Sequence, residues 1–259
     1  RELYETGPSL TGRGFVVERV HYAAGYRREP HSHETLGITL VLDGHLRERV
    51  RGVEEDSSAL SVVVKPAGTV HENEVGPRGA CTIAVTILDS EALLDDARDL
   101  GTWRWSHPGT GVQPLLALGR ALVQPSSATD PEEMVHELLG EVTGAPATRP
   151  GDAPSWIRRA RETLDDLGPE GIEVRALADS LRVHPVSLTR AFRRAYGIPV
   201  TRYRRLVRLR RAAEQLAGTE QSLSAVAQLA GYADQPHMCR EIRSLTGLAP
   251  AVFRALARG

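Results

Sequence analysis

Apolar and polar residues alternate through residues 14–90, and β-branched residues are frequent there. Segments such as FVVERV, ALSVVV and CTIAVT show this pattern, and Gly, Pro and Asp separate them. Short alternating segments with such breaks are typical of antiparallel strands. The first part of the chain is therefore predicted to form an antiparallel sandwich or barrel.

From about Glu91 the apolar residues recur every three to four positions, which is the period of an amphipathic helix. Residues 112–122 and 131–143 are predicted to form two such helices, and their apolar faces consist of Leu115, Leu118 and Leu122 in the first and Met134, Leu138 and Val142 in the second. We expect this pair to mediate dimerisation, with complete packing on the barrel as the alternative. Residues 145–154 are rich in Pro and Gly and are predicted to link two domains, 1–144 and 155–259.

Beyond the linker the apolar spacing stays helical, and one plan occurs twice. Residues 177–205 and residues 231–254 each show a sharp turn before a helix with an exposed basic side. A helix-turn-helix needs a supporting helix, a turn, and a second helix that enters the major groove. The helix predicted between them, residues 199–217, would be about 27 Å long. It can therefore hold the two helix-turn-helix units, called here the first and the second head, about one DNA turn, ~34 Å, apart.

The charge distribution agrees with a nucleic-acid partner for the second half. Residues 151–259 carry 18 Arg and 11 acidic residues, a net charge of +7. Residues 1–150 hold the other 14 basic and 22 acidic residues, a net charge of −8. A basic half beside an acidic half suits a DNA reader joined to a domain that does not bind phosphate.

In the second unit, Gly231 is predicted to form the turn and Asp234 to cap the recognition helix. Met238 and Ile242 would then face inward and leave Gln235, Cys239 and Arg240 outward. In the first unit, Leu188 and Phe192 face inward, which leaves Val186, Thr189 and Arg190 outward. Arg pairs with guanine, Gln pairs with adenine, and small apolar groups meet thymine methyls.

These residues resemble the DNA-binding domain of the AraC/XylS family of bacterial transcription regulators. The resemblance rests on Ala227 to Tyr232, Met238 to Ile242, and Gly247 to Phe253. It implies base contacts by Val186, Thr189 and Arg190 in the first head and by Gln235, Pro236, Cys239 and Arg240 in the second. The arginines expected to meet phosphates are Arg193, Arg194, Arg202, Arg204 and Arg205. Three positions depart from the family pattern, namely Arg182 in the first turn, His184 at the first cap, and Ile242 in the core.

Two segments of the first half, Gly25 to Gly44 and Lys65 to Asn73, resemble the two cupin motifs. His31 and His33 lie two apart, as on one face of a strand, and His71 can join them from a neighbouring strand. Three histidines suit one divalent metal, with zinc as the preferred ion. Gly37 stands where metal-binding cupins usually carry Glu, so Cys81 or water would complete the coordination. The alternative is that the histidines only pack at the barrel mouth.

The predicted fold class is α+β multidomain: an N-terminal cupin-like β-barrel with a helical dimerisation segment, followed by an all-α double helix-turn-helix. The predicted function is a cytoplasmic, sequence-specific transcription regulator whose barrel senses a small molecule or metal. Its predicted partners are double-stranded DNA, an effector, a second copy and RNA polymerase, with no membrane, because no apolar run reaches about 18 residues. The alternative is a metal-dependent cupin oxygenase or isomerase tethered to DNA-binding helices. A DNA-repair adaptor with a reactive cysteine ranks third.

Overall fold

A computed structural model describes residues 4–88, 93, 100–106, 110–124, 130–144, 153–166 and 172–258. The strands are β1 (Tyr4–Gly12), β2 (Phe15–Tyr22), β3 (Arg27–His31), β4 (Leu36–Val50), β5 (Val53–Ser57), β6 (Val62–Lys65), β7 (His71–Ile87) and β8 (Arg104–Ser106). The helices are α1 (Val112–Val123), α2 (Pro131–Gly144), α3 (Ser155–Asp166), α4 (Val174–Ser180), α5 (Pro185–Tyr196), α6 (Val200–Gly218), α7 (Leu223–Leu229), α8 (Gln235–Thr246) and α9 (Pro250–Arg258). The strands lie within the predicted residues 14–90 except for β1 and β8, and β8 at Arg104–Ser106 falls in the part that was predicted to be helical.

All strand pairs are antiparallel, and the order in the sheet is β1-β2-β7-β4-β6-β8, with β3 on β7 and β5 on β4. The two long strands, β4 with 15 residues and β7 with 17, form the centre of the sheet. Each of them pairs with three other strands. The predicted sheet-rich, antiparallel N-terminal region is therefore confirmed.

The sheet curls because β4 bends in its middle. Gly37 pairs with Lys65 of β6, and the Lys65 Nζ lies 2.6 Å from Oε1 of Glu48, eleven residues further along β4. A straight strand would hold Gly37 and Glu48 ~36 Å apart. Two register shifts within residues 41–46 provide the bend, as β-bulges do. Gly44 has φ +80°, and a Cβ there would lie 2.0 Å from a backbone oxygen of β7, so only glycine fits.

The helix pair α1 and α2 packs largely on the chain's own core, and its predicted role in dimerisation stays a prediction. Leu115, Leu118 and Leu138 are 0% exposed, and Val142 is 3% exposed. They join strand residues such as Ile83 in one hydrophobic cluster. Leu122 and Met134 of the same predicted faces are only half-buried, so the packing of this pair on the chain's own core is extensive but not complete.

The second helix-turn-helix head, α7 to α9, shares that same core with the N-terminal region. A Cβ on Gly119 of α1 would lie 2.9 Å from Ile83 and 3.5 Å from Leu256 of α9, so three elements meet closely there. The Gln113 side-chain amide also donates to the Ser244 carbonyl at 3.0 Å. The second head is therefore packed on the N-terminal region.

The first head, α4 and α5, has a separate core with α3 and the start of α6. Ile157, Leu188 and Phe192 are 0% exposed at its centre. An ion pair connects this core to the barrel, with the Nη2 of Arg161 in α3 2.6 Å from Oε1 of Glu55 in β5. The two heads thus belong to different hydrophobic clusters.

The domain boundary predicted at 145–154 stays a prediction, since residues 145–152 lie outside the described residues. The sequence also predicts an ordinary surface or partly buried role for His107 and a helical position for Leu167, and both residues lie outside the described ones. Among the helices of the described ranges, none combines the length and the apolar character that crossing a membrane requires.

Candidate DNA-binding surface and histidine cluster

The two helix-turn-helix turns have the same backbone geometry. The amide of Val183 donates to the Ala178 carbonyl at 3.0 Å, and that of Tyr232 donates to the Ala227 carbonyl at 2.9 Å. Gly231 has φ +81°, as predicted for this turn, and Arg182 takes the matching left-handed conformation at φ +55°. A non-glycine residue in that conformation costs about 1–2 kcal/mol. The turn of the first head is therefore retained at the expense of local strain.

Both recognition helices begin at a side-chain cap. The Asp234 Oδ1 accepts from the His237 amide at 2.6 Å, which confirms the predicted cap of α8. The His184 Nδ1 accepts from the Val186 amide at 3.3 Å and takes the same role in α5. An imidazole nitrogen can accept only when it carries no proton, so this cap requires a neutral His184.

The first recognition helix, α5, has the predicted inward and outward faces. Leu188 and Phe192 are fully buried, and Val186 is 50% exposed. Thr189 and Arg190 are exposed beside Val186, and the Thr189 hydroxyl donates to the Pro185 carbonyl at 3.0 Å. That hydrogen bond occupies the hydroxyl within the helix, which suits an apolar contact by its methyl group. The expected phosphate-binding residues Arg193 and Arg194 are exposed, and Arg204 is half-buried on α6.

The second recognition helix, α8, presents a narrower face than predicted. Gln235, Pro236 and Arg240 are exposed, whereas Met238 is fully buried. Cys239 is half-buried and packs against the shared core, so its predicted outward position is only partly correct. α8 also contacts the N-terminal region near its C-terminal end, where the Ser244 carbonyl accepts from the Gln113 side-chain amide.

A polar network joins α6 to α8, and the sequence analysis missed it. Glu241 is 6% exposed, accepts from the Tyr232 hydroxyl at 3.0 Å, and lies 2.7 Å from the Arg205 Nε. The His237 Nε2 is 3.3 Å from the same carboxylate. Burial and then the charge of Glu241 raise the pKa of Tyr232. Arg205 helps hold the second recognition helix on the connecting helix, and because its side chain is 53% exposed, its expected phosphate contact stays a prediction. An acidic residue in the middle of a basic recognition helix is the signal that could have revealed this.

In the N-terminal region the structure brings His31, His33 and His71 together. One ligand nitrogen from each lies within 4.8 Å of the other two, and no further His, Cys, Asp or Glu of the described ranges completes such a group. His31 is the last residue of β3 and pairs in register with His71, the first residue of β7. His33 lies past the end of β3, so the prediction that it shares a strand face with His31 was wrong.

Two of these rings have a fixed tautomer. The Nδ1 of His31 is 2.9 Å from the Glu29 carbonyl, and the Nδ1 of His71 is 3.0 Å from the Thr69 carbonyl. A carbonyl only accepts, so both Nδ1 atoms carry the proton and both Nε2 atoms keep a lone pair. These Nε2 atoms are buried and have no hydrogen-bond partner among the described residues. Such backbone-oriented rings with free Nε2 lone pairs fit the ligand set of a divalent metal.

The cluster is also held in its neutral form. Burial, reinforced by His71 and His31, lowers the pKa of His33 to about 4. Burial lowers the pKa of His71 to about 4 as well, against the opposing effect of its hydrogen bond to Thr69. The pKa of His31 is lowered mainly by burial. All three imidazoles are therefore unprotonated at neutral pH, which is the state that binds metal.

Cys81 does not complete this group, which corrects the sequence analysis. It lies ten residues along β7 from His71, or ~33 Å in an extended strand. Its Sγ is 3.7 Å from the His21 Nε2, and burial raises the pKa of the Cys81 thiol to about 12. A thiol with that pKa is not a reactive nucleophile, so Cys81 does not support a repair function.

A buried ion pair and two tryptophans surround the cluster. The carboxylate of Glu48 is 0% exposed and pairs with Lys65, the one lysine of the chain. Burial by itself lowers the pKa of Lys65, and Glu48 more than reverses this. The Trp103 ring lies 4.6 Å from the His71 ring, and the Lys65 Nζ lies 5.8 Å from the Trp103 ring centre. The stretch around Trp105 adds the edge strand β8 beside β6 and places Trp103 on the histidines.

Comparison with known proteins identifies the C-terminal heads. Residues 177–256 match a family model described as a helix-turn-helix domain. The chain is 27% identical over 103 residues, 40% of its length, to the bifunctional transcriptional activator/DNA repair enzyme AdaA of Bacillus subtilis. It is 28% identical over 106 residues, 39% of its length, to the arabinose operon regulatory protein of Escherichia coli. The chain covers 49% and 36% of the lengths of these relatives, so it spans about half of them or less.

A solved structure resembles the chain over most of its length. ToxT of Vibrio cholerae is 10% identical, with a TM-score of 0.42, over 96% of this chain and 100% of that one. The resemblance to AraC-type DNA-binding domains stated from the sequence is confirmed by the family model and by the arabinose regulator. The C-terminal part of the chain is thus a helix-turn-helix domain of the AraC type, and it follows a sheet-rich N-terminal region.

Proposed function

We propose that the chain is a sequence-specific DNA-binding transcription regulator whose N-terminal region senses a ligand. The observation that carries this proposal is the pair of matching heads. Both have the same turn hydrogen bonds, a capped recognition helix and an exposed polar face. The helix between them, α6, has 19 residues and is therefore about 28 Å long. That length supports simultaneous reading of two successive major grooves.

The base-reading residues in this proposal are Val186, Thr189 and Arg190 of α5 and Gln235, Pro236 and Arg240 of α8, with Cys239 at the edge of the second face. Arg193, Arg194 and Arg204 are proposed to contact phosphates. Base contacts specify sequence, whereas phosphate contacts position the protein. The two sets therefore differ in what their removal does to specificity.

The test begins with full-length protein and a site selected from random duplex DNA. We expect Arg190→Ala and Arg240→Ala each to weaken binding to that site by about 1–3 kcal/mol and to relax base preference at one position. Arg204→Ala is the matched control, and it should weaken selected and random DNA equally while lowering the salt slope by about one. Equal losses on both DNAs for all three variants would refute the division.

The sensing element is proposed to include one divalent metal, zinc by preference, held by His31, His33 and His71. Support comes from the short separations of their ligand atoms and from the two free Nε2 lone pairs. Bound there, the metal would supply a positive charge and an open coordination position. The three side chains would hold it, and the carbonyls of Glu29 and Thr69 would orient two of the rings.

The open coordination position also supports the second candidate, a metal-dependent cupin oxygenase or isomerase tethered to DNA-binding helices. Three protein ligands and a free position are usual in catalytic metal sites. The discriminating measurement is oxygen uptake and product formation by metal-loaded protein with small-molecule libraries. Turnover abolished by His33→Ala would favour the enzyme, and a ligand-dependent change in DNA affinity without turnover would favour the regulator.

Sensing can reach the heads through their unequal attachment to the N-terminal region. The second head shares that region's hydrophobic core, whereas the first head contacts it through the pair of Arg161 and Glu55. Glu55 lies opposite Glu48 in the β4–β5 register, and Glu48 pairs with Lys65 near the histidines. A ligand that alters this strand pair would change the spacing of the heads and hence DNA affinity. Homodimerisation and contact with RNA polymerase stay predictions.

A further inference from the structure

The histidine cluster lacks an acidic ligand, and this has a consequence for what it can bind. Histidine binds metal as a neutral imidazole, so three histidines cancel none of the ion's charge. Within the described ranges, no carboxylate lies close enough to join the three ligand nitrogens. A divalent ion held there, which is the site of our proposed function, would keep its full double charge in a half-buried setting.

The carboxylate of Glu48 does not provide the missing charge, because Lys65 already neutralises it. The Lys65 Nζ lies 2.6 Å from Oε1 of Glu48, and the Glu48 side chain is 0% exposed. The net charge of Lys65 and Glu48 together is zero. Arg28 adds a positive charge on β3, where it lies opposite Asn73 of β7. Uncompensated charge away from water is costly, so the metal-loaded site requires an anion.

We propose that the effector of this protein is a small organic carboxylate that occupies the open coordination position of the three-histidine metal site. Its carboxylate would supply the negative charge that the chain itself omits. The Trp103 indole N–H, buried and without a hydrogen-bond partner among the described residues, is available as a donor beside His71. A neutral sugar or amide in the same place would leave the charge uncompensated.

The aromatic side chains near the histidine cluster favour an effector whose carboxylate is attached to a planar group. The rings of Trp103 and Trp105 lie 5.9 Å apart, and both side chains are nearly buried. The Lys65 Nζ also lies 5.8 Å from the Trp103 ring centre, so an aromatic side chain adjoins both the histidines and the ion pair of Lys65 and Glu48. Stacking on these rings would favour an aromatic or conjugated acid over an aliphatic one.

The experiment uses full-length protein loaded with cobalt(II), whose visible spectrum reports its ligands. Benzoate is titrated against benzamide, which has nearly the same shape and no charge. We expect benzoate to change the cobalt spectrum and to bind at least about tenfold more tightly than benzamide, a difference of about 1.4 kcal/mol. Cyclohexanecarboxylate, tested in parallel, should bind more weakly than benzoate.

Gly37 offers a matched pair of variants. It pairs with Lys65 across β4 and β6, and a Cβ there would lie 3.8 Å from the Lys65 Cβ, an ordinary contact. Gly37→Glu would supply an internal carboxylate on this face, and Gly37→Gln has the same size without the charge. We expect Gly37→Glu to keep cobalt and lose benzoate binding by about tenfold or more, while Gly37→Gln keeps most of it.

The outcomes separate this inference from the proposed function. Failure of cobalt to bind the wild-type protein stoichiometrically would defeat the metal site and this inference with it. Stoichiometric cobalt with equal affinity for benzoate and benzamide would defeat the inference alone. Equal losses in Gly37→Glu and Gly37→Gln would show that volume, and not charge, decides binding, which would also overturn it.

Discussion

The ion pair between Arg161 and Glu55 yields the sharpest stability prediction, because both groups are nearly buried. The Arg161 side chain is 18% exposed and that of Glu55 is 4% exposed, and the Nη2 and Oε1 atoms lie 2.6 Å apart. At an effective dielectric constant of about 20, their gross attraction is roughly 6 kcal/mol, and most of it offsets desolvation. Removing one partner of a buried pair costs about 3–5 kcal/mol.

We expect Glu55→Leu to lower the free energy of unfolding by about 3 kcal/mol, which is the lower end of that range. Arg161 would still lie 3.9 Å from Asp165 and 5.6 Å from the Tyr196 ring centre, and these contacts compensate part of the loss. The double variant Glu55→Leu/Arg161→Met should lose less than Glu55→Leu alone, since no unpaired charge remains. Asp56→Leu is the control, because Asp56 is the exposed neighbour on β5, and it should change stability by less than about 0.5 kcal/mol.

Urea unfolding followed by tryptophan fluorescence and by circular dichroism measures these free energies. Two probes are needed because the hydrophobic cores are separate and can unfold separately. If Glu55→Leu lowers the free energy of unfolding no more than Asp56→Leu does, the reasoning is refuted. It is also refuted if the double variant loses as much stability as Glu55→Leu and Arg161→Met lose together when each is measured alone.

Three further predictions follow from the same contacts. Leu118→Glu buries a charge at a fully buried position, so circular dichroism should show unfolding and not a folded monomer. Arg182→Gly should raise the free energy of unfolding in urea by about 0.5 kcal/mol, because relief of the left-handed strain exceeds the entropic cost of glycine. Gly231→Ala, at the matching position of the second head, should lower it by about 1 kcal/mol. Protein purified without an affinity tag should contain about one equivalent of zinc by elemental analysis, and His33→Ala should contain less than a tenth of that; metal-free wild-type protein would contradict the site.

The sequence alone determined the elements of this protein, because periodicity and turn chemistry are local. Residues 112–122 and 131–143 were predicted as helices and are Val112–Val123 and Pro131–Gly144. The turn at Gly231 and the cap at Asp234 were predicted correctly, since positive φ and a side-chain acceptor depend on single residues. The histidine spacing also predicted a cluster, because the motif brings two neighbouring strands together.

Only the tertiary structure decided what these elements contact. The spacing of Leu115 and Leu118 is the same whether a second copy or the chain's own sheet buries them. In the structure both side chains are buried against the chain's own core. The ion pair between Arg205 and Glu241 joins residues 36 positions apart in sequence, and the spacing of the arginines does not indicate it. Lys65 and Glu48 meet because bulges bend β4, and a strand's pattern does not reveal how sharply it bends. Contacts between residues distant in sequence depend on packing that no local pattern contains, and they determine which surfaces remain free to bind.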